Sequence, residues 1–147
     1  MTGGAGRVAG RVTGPAAGVD GAAAVVEAFL AAFNAGDLAA LRSCLADDAV
    51  AYVTGPDGQP SEMTGAEAYV AAIAAMNLPA VHYSVTLTQA PVRVPPDLVL
   101  AMVEVHAHRD GRDLHNFAGH LLQVVAGRIA ALWMVDAKPA ESDAFWD

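Results

Sequence analysis

The sequence predicts an α+β fold, in which N-terminal helices are followed by an antiparallel meander of strands. Apolar residues recur at helical spacing in the first half of the chain, and from Val81 onward they alternate with a period of two. Two tight-turn signals, Arg109-Asp110-Gly111 and Ala126-Gly127, divide residues 97–137 into three strands. A chain of 147 residues without an internal repeat has the size of one domain.

Composition excludes several classes of function. The net charge of −8, with no basic stripe to offset it, argues against a nucleic-acid partner. The longest uncharged apolar run, Ala68 to Met76, is too short to span a membrane. The single cysteine, Cys44, rules out an internal disulfide and fits a reducing compartment. We therefore predict a cytoplasmic protein.

The first nineteen residues differ from the rest of the chain. They are rich in Gly, Ala and Val and lack the continuous apolar segment of a secretory signal. Such a composition buries too little surface to order itself. We predict a flexible tail over residues 1–19 and a single domain over residues 20–147.

Three helices are predicted before residue 80. Asp20 caps the first, and Asn34-Ala35-Gly36 ends it because Gly36 can adopt the left-handed conformation. Asp37 caps a second, shorter helix. Thr64-Gly65-Ala66-Glu67 has the pattern of a capping box that opens the third. The apolar stripes of the three helices are, in order, Val25, Val26, Phe29, Leu30 and Phe33; Leu38, Leu41 and Leu45; and Tyr69, Val70, Ile73 and Met76.

The strands are predicted from alternation and turn chemistry. Ala49 to Thr54 is a short strand that ends at the turn Gly55-Pro56-Asp57-Gly58. Pro79 prevents the third helix from continuing, and Val81 to Val94 is a strand whose prolines push its end to a sheet edge or a bulge. The remaining strands are Asp97 to Arg109, Arg112 to Val125 and Arg128 to Ala137.

The C-terminal segment, Pro139 to Asp147, is short and amphipathic. Its Phe145 and Trp146 are large enough to dock on the domain. They could cap a pocket, seal a dimer or cover an edge of the core.

Several motifs in this order resemble the nuclear transport factor 2-like superfamily, specifically its SnoaL-like branch. They are Val25 to Phe29 with Asn34 to Asp37, the acidic step Ala46 to Val50, and the strand end Gly127 to Trp133. The resemblance implies a cone-like fold in which a curved sheet wraps around three helices and encloses an apolar pocket, commonly in a homodimer. The superfamily includes isomerase-, cyclase- and epoxide hydrolase-like enzymes as well as binding proteins without activity, so the fold leaves the function open.

His120 is the first candidate catalytic residue. It shares a strand face with Ala118, Leu122 and Val124, whereas Gln123 lies on the opposite face, so we expect His120 to point inward. An imidazole in an apolar pocket stays neutral and can act as a base or a hydrogen-bond donor. The alternative is a buried histidine that a neighbour satisfies and that has no other role.

Asp136 is the second candidate. It shares strand parity with Leu132 and Met134 and comes near the strand end, where a carboxylate could orient His120 or act as the base. The SnoaL-like resemblance implies an acid directly after the strand tryptophan, but in this chain Met134 follows Trp133. The alternative is a surface aspartate that ends a strand.

Tyr52 is the third predicted catalytic residue, as a hydrogen-bond donor to a substrate oxygen. Predicted substrate contacts are Tyr69, Asn116, Met134 and Phe29. For tyrosine and methionine the alternative is simple core packing.

A second polar cluster, Glu104, His106 and His108, lies at alternate positions of one strand. These side chains share one face and are competent ligands for zinc or ferrous iron. The other face of this strand is apolar throughout, so the three are expected to face solvent or a dimer seam. The sequence favours that interpretation over a metal site, and we expect neither a metal nor a cofactor.

Two hypotheses follow. The first is a small-molecule enzyme that isomerises, cyclises or hydrates an apolar, oxygen-bearing substrate by acid–base chemistry at His120, Asp136 and Tyr52. The second is a homodimeric ligand-binding or accessory protein without turnover. A hydrogen bond between His120 and Asp136 would favour the enzyme.

Overall fold

Four α-helices and one seven-stranded sheet make up residues 19–147, the part of the chain that the computed structural model describes. In chain order they are α1 (Val19–Ala35), α2 (Leu38–Ser43), β1 (Leu45–Thr54), β2 (Pro60–Thr64), α3 (Ala66–Met76), β3 (Ser84–Leu87), β4 (Val92–Val94), β5 (Leu98–Arg109), β6 (Arg112–Val125), β7 (Arg128–Asp136) and α4 (Pro139–Trp146). A short 3₁₀ helix, Leu78–Val81, links α3 to β3. The predicted tail lies outside the described residues, except that Val19 begins α1, and the side chain of Asp20, the predicted cap, is also outside them.

The sheet is large, curved and unclosed, which confirms the predicted α+β class. Its strand order is β2-β1-β7-β6-β5-β3, and β4 also pairs with β5. The β1–β7 pair is parallel and all other pairs are antiparallel. The long hairpin β5–β6 and its neighbour β7 form the centre of the sheet, and they carry most of the residues that matter for function.

Both predicted tight turns are confirmed. Asp110 and Gly111 have φ angles of 52° and 75°, and Ala126 and Gly127 have 51° and 75°. Two consecutive positive φ angles characterise a type I′ turn, whose twist matches that of the flanking strands. As a result β5 and β6 pair in register from Leu98 opposite Gln123 to Arg109 opposite Arg112.

The junction between the first two helices is also as predicted. Gly36 adopts φ 64°, and a Cβ atom there would come within 2.9 Å of the Pro79 ring. Asp37 caps α2 by accepting a hydrogen bond from the Ala40 N–H at 2.9 Å. However, α2 ends at Ser43, so Leu45 belongs to β1 and not to the second helical stripe.

Two predictions about the next segment are wrong. The Thr64-Gly65-Ala66-Glu67 capping box does not form, because Gly65 is the N-cap and no side chain caps α3. Thr64 instead ends β2, a strand that the sequence analysis did not predict, and it pairs with Val50. The strand predicted over Val81 to Val94 is in fact two short strands, which pair with different parts of β5 along one edge.

The core lies between the helices and the inner, concave face of the sheet. On β5 the alternate residues from Val99 to Ala107 are all buried, as the alternation predicts. Phe145 of α4 is only 4 % exposed, so the C-terminal segment docks on the domain. No helix within residues 19–147 is long and apolar enough to cross a membrane.

Candidate functional site

A cavity of about 380 Å³ lies between α3 and the inner face of the sheet. Strands β5, β6 and β7 form its floor, α3 forms one wall, and the β1 end and α4 surround it. The floor consists of Val105, Leu114, Ala118, His120, Leu132, Met134 and Asp136. The volume of the cavity falls within the range of small-molecule sites, and most of the cavity lining is apolar.

His120 lines this cavity, as its strand parity predicts. Burial lowers its pKa from 6.5 to about 4, because an imidazolium ion would lose its hydration there. Its Nδ1 atom is buried and has no hydrogen-bond partner among residues 19–147. An unsatisfied buried polar atom costs about 1–3 kcal/mol. His120 is therefore a neutral imidazole with unused hydrogen-bonding capacity.

Asp136 lines the same cavity, at the end of β7. The strand register places Asp136 opposite Ala118, and His120 opposite Met134, so the two candidate residues lie diagonally across adjacent strands. Burial raises the pKa of Asp136, and a hydrogen bond with Ser142 of α4 opposes the shift. Within the described residues no hydrogen bond joins Asp136 to His120. The two groups share a site without touching.

Two tyrosines also belong to the polar part of the lining. Burial raises the pKa of Tyr69, from α3, well above its usual range, and it raises the pKa of Tyr83 to about 12, with a smaller effect from the charge of Asp136. Both phenols therefore stay protonated and can donate a hydrogen bond. Tyr69 was a predicted contact, whereas Tyr83 was not.

Tyr52 is not part of this site. Its neighbours Ala51 and Val53 point inward, and Val53 lines the cavity. The Tyr52 ring stacks on Trp133 across the parallel β1–β7 pair, with centroids 5.5 Å apart and planes at 10°. Trp133 is on the outer face and 38 % exposed. The predicted catalytic role of Tyr52 is therefore inconsistent with its position, because it lies on the other face of the sheet.

Two of the predicted substrate contacts have structural positions instead. Asn116 is 1 % exposed, and its amide nitrogen donates to the Lys138 carbonyl at 2.9 Å and to the Ser142 hydroxyl at 2.8 Å. Its amide oxygen accepts from the backbone N–H groups of Lys138 and Phe117. Asn116 thus holds α4 against β6. Phe29 is fully buried behind Tyr69, with ring centroids 6.2 Å apart, and does not line the cavity.

Met134 lines the cavity, and so do four residues of α4: Pro139, Ser142, Asp143 and Trp146. The sequence analysis left the role of Trp146 open. Tyr83 shares parity with the buried Val85, which is the signal that could have placed it inside.

The polar cluster on the outer face of the sheet consists of Glu104, His106 and His115, so it differs from the predicted set in one member, His108. Nδ1 of His108 donates a hydrogen bond to the Asp113 carboxylate at 2.7 Å, near the hairpin turn. Oε2 of Glu104 is 3.2 Å from Nε2 of His106 and 2.6 Å from Nε2 of His115, on the neighbouring strand. These groups are on the face opposite the cavity.

Comparison with known proteins agrees with this architecture. The family model of the SnoaL-like domain matches residues 26–132. The chain belongs to the SnoaL-like family. An uncharacterized protein of Mycobacterium tuberculosis is 32% identical over 123 residues, which are 83% of this chain and 93% of the relative.

Solved structures share the fold. Bal32a, from a soil-derived mobile gene cassette, superposes with a TM-score of 0.77 at 20% identity, over 87% of this chain and 98% of its own. An LEH-like epoxide hydrolase of M. tuberculosis gives 0.69 at 18% identity, over 82% and 87%. At these identities the likeness establishes the fold alone.

Proposed function

We propose that this SnoaL-like protein is a small-molecule enzyme that isomerises, cyclises or hydrates an apolar, oxygen-bearing substrate by acid–base chemistry, without a cofactor. The observation that carries the proposal is the pairing of a neutral, unsatisfied imidazole with a half-buried carboxyl group in one apolar cavity. Such perturbed groups are enriched at catalytic sites. The similarity to an epoxide hydrolase supports chemistry at an oxygen-bearing substrate.

The pKa shifts favour a division of roles that reverses the one expected from the sequence. Burial weakens His120 as a base, since its pKa falls to about 4, whereas burial strengthens Asp136 as a base. We therefore assign proton abstraction to Asp136. The neutral His120 and the Tyr69 hydroxyl donate hydrogen bonds to the substrate oxygen.

In an isomerisation, Asp136 would take a proton from the carbon next to a substrate carbonyl. The C–H electron pair becomes a carbon–carbon double bond and the carbonyl π pair moves onto the oxygen, where hydrogen bonds from His120 and Tyr69 stabilise the negative charge. In a β,γ-unsaturated ketone the intermediate is a dienolate, and Asp136 returns the proton to its γ-carbon, which shifts the double bond into conjugation with the carbonyl. Atoms and charges balance without an external reagent, and the apolar walls bind the hydrocarbon skeleton.

The test is exchange of carbon-bound hydrogen for deuterium. A panel of compact apolar ketones would be incubated with the protein in D₂O and analysed by mass spectrometry. We expect deuteration of at least one ketone above the rate in buffer, and loss of that activity in Asp136→Asn by about 10²-fold or more.

The matched control is Asp110→Asn, an aspartate-to-asparagine change at an exposed position of the β5–β6 turn that does not line the cavity. It should keep full activity. Exchange that persists in a folded Asp136→Asn variant would contradict the role of Asp136.

A second candidate function is ligand binding without turnover, which the lack of a hydrogen bond between His120 and Asp136 favours. In this case a ketone would bind in a saturable way, as measured by calorimetry, and would remain unlabelled in D₂O. The same panel of compounds therefore separates the two functions.

We also propose that the protein is a homodimer. Support comes from the outer face of β6 and β7, where Phe117, Val125, Trp133 and Val135 are between 38 % and 51 % exposed. A second copy that covers this apolar face would bury them. Sedimentation equilibrium should give twice the mass of one chain, and the Trp133→Glu variant should have the mass of a single chain.

A cytoplasmic location is supported by Cys44, the one cysteine, which is a buried free thiol.

A further inference from the structure

The outer face of the β5–β6 hairpin carries a cluster of three potential metal ligands: Glu104, His106 and His115. One ligand atom from each residue lies within 4.8 Å of the other two. Glu104 Oε2 is 3.2 Å from His106 Nε2 and 2.6 Å from His115 Nε2. The two imidazole rings are stacked, with centroids 4.5 Å apart and planes at 9°.

The strand geometry explains how these residues meet. Glu104 and His106 are two residues apart on β5, so they share a face. His106 is directly opposite His115 in the antiparallel register, and cross-strand neighbours have their Cβ atoms about 4.5–5.5 Å apart. The arrangement therefore depends on the rigid centre of the sheet and not on a loop.

We propose that Glu104, His106 and His115 bind a divalent transition-metal ion, with Zn²⁺ as the representative case. Imidazole nitrogen and carboxylate oxygen are standard ligands for zinc, at about 2.0–2.2 Å, which puts the ligand atoms of a tetrahedral site about 3.3–3.5 Å apart. The Glu104–His106 distance of 3.2 Å is close to this spacing, and the Glu104–His115 distance of 2.6 Å must widen. The two stacked imidazole rings must also rotate, since a metal ion lies in the plane of each imidazole that binds it. Both histidine side chains are about half exposed and can make that adjustment.

Three protein ligands leave one tetrahedral position for water. This pattern is typical of an open zinc site. The site is separated from the acid–base cavity by the thickness of the sheet, because Glu104 and His120 point to opposite faces. The metal proposal is therefore independent of the proposed enzymatic function.

His108 is excluded from the ligand set by its own partner. Its Nδ1 is 2.7 Å from Oδ1 of Asp113, and this pair lies two register positions beyond the His106–His115 pair, on the same face of the sheet. His108 therefore provides a matched control: it is a half-exposed histidine on the same strand, bonded to a carboxylate, but outside the proposed site.

The experiment is calorimetric titration of the full chain, without a histidine tag, with Zn²⁺. We expect one ion per chain. His115→Ala and His106→Ala should each weaken binding by more than about 10-fold, and Glu104→Gln should also weaken it, because each removes a ligand. His108→Ala should bind as the wild type does.

Circular dichroism would verify that each variant is folded. Nitrogen-15 spectra of the histidine rings provide a second readout in the unmodified protein, since Zn²⁺ should shift Nε2 of His106 and His115 and leave the His108 ring unchanged. The proposal is overturned by an absence of binding in the wild type. It is equally overturned if His108→Ala loses binding as His115→Ala does, or if the double variant H106A/H115A binds as the wild type does.

Discussion

Two histidines on β6, only five residues apart, have opposite surroundings. His120 faces the inner cavity, where its Nδ1 has no partner within the described part of the chain, and burial lowers its pKa to about 4. His115 faces outward, is half exposed, and is bonded to Glu104 and stacked on His106. The same side chain therefore lines an apolar cavity on one face of the sheet and belongs to a polar cluster on the other. Strand parity decides which, because alternate residues point to opposite faces.

The largest expected effect is on the activity of the protein when His120, the histidine on the inner face, is replaced. His120→Ala should lower the rate of ketone deuteration by about 10²–10³-fold, because it removes a hydrogen-bond donor to the developing oxyanion. His115→Ala should leave that rate unchanged. The mass-spectrometric exchange assay measures both, and equal losses in the two variants would break the contrast between the faces.

The next effect is on the pH dependence of stability. The unfolded chain binds a proton at His120 near pH 6.5, whereas the folded chain does so only near pH 4, so the free energy of unfolding falls as the pH decreases between these values. At about 1.4 kcal/mol per pH unit the loss is at most about 3 kcal/mol. The raised pKa of Asp136 acts in the opposite direction at acidic pH.

Replacing His120 with leucine should remove this loss of stability at acidic pH. Urea unfolding at pH 8 and at pH 5 would show that His120→Leu gains stability relative to the wild type as the pH falls. If the difference in unfolding free energy between variant and wild type is the same at pH 8 and at pH 5, His120 is protonated at pH 5 in the folded chain as it is in the unfolded chain.

A third prediction compares two polar residues on the inner face. Asn116 makes four hydrogen bonds where His120 Nδ1 makes none within residues 19–147. Asn116→Ala should cost about 1–3 kcal/mol, because the part-buried hydrogen bonds to the backbone N–H and carbonyl of Lys138 are lost. Chemical denaturation would measure this loss, with Ser142→Ala as the smaller control change. A loss below about 0.5 kcal/mol would show that the other contacts of α4, which include hydrogen bonds from Arg109 and Arg112 to its carbonyl groups, hold it without Asn116.

The smallest effect concerns the outer face. His115→Ala should change the free energy of unfolding by less than about 1 kcal/mol, since its side chain is half exposed and water competes for its hydrogen bond to Glu104. The measurement is urea unfolding in metal-free buffer. A larger loss would indicate that the outer cluster stabilises the fold.

Most of the fold could be predicted because its signals are local. Gly111, Gly127 and Asp110 adopt positive φ angles that their own chemistry favours, and Asp37 caps the helix next to it. The capping box at Thr64 failed because β2 pairs with β1, and this ladder holds Thr64 opposite Val50. Pairing between strands overrode a local preference worth about 1 kcal/mol.

The candidate site was predicted only in part, for the same reason. Parity placed His120, Met134 and Asp136 inside, but it could not show that β1 presents Val53 to the cavity and Tyr52 to the outer face. Nor could it show that His115, from another strand, replaces His108 beside Glu104.

By itself, then, the sequence determined the turns, the helix ends and the face on which each residue of the long hairpin lies, since these depend on backbone preferences within a few residues. The tertiary structure alone decided that Tyr83 and α4 border the cavity, that Asn116 holds α4 in place, and that His106 and His115 face each other. These contacts join residues distant in the chain, and they form only when the packing of the sheet and the helices fixes the register between strands.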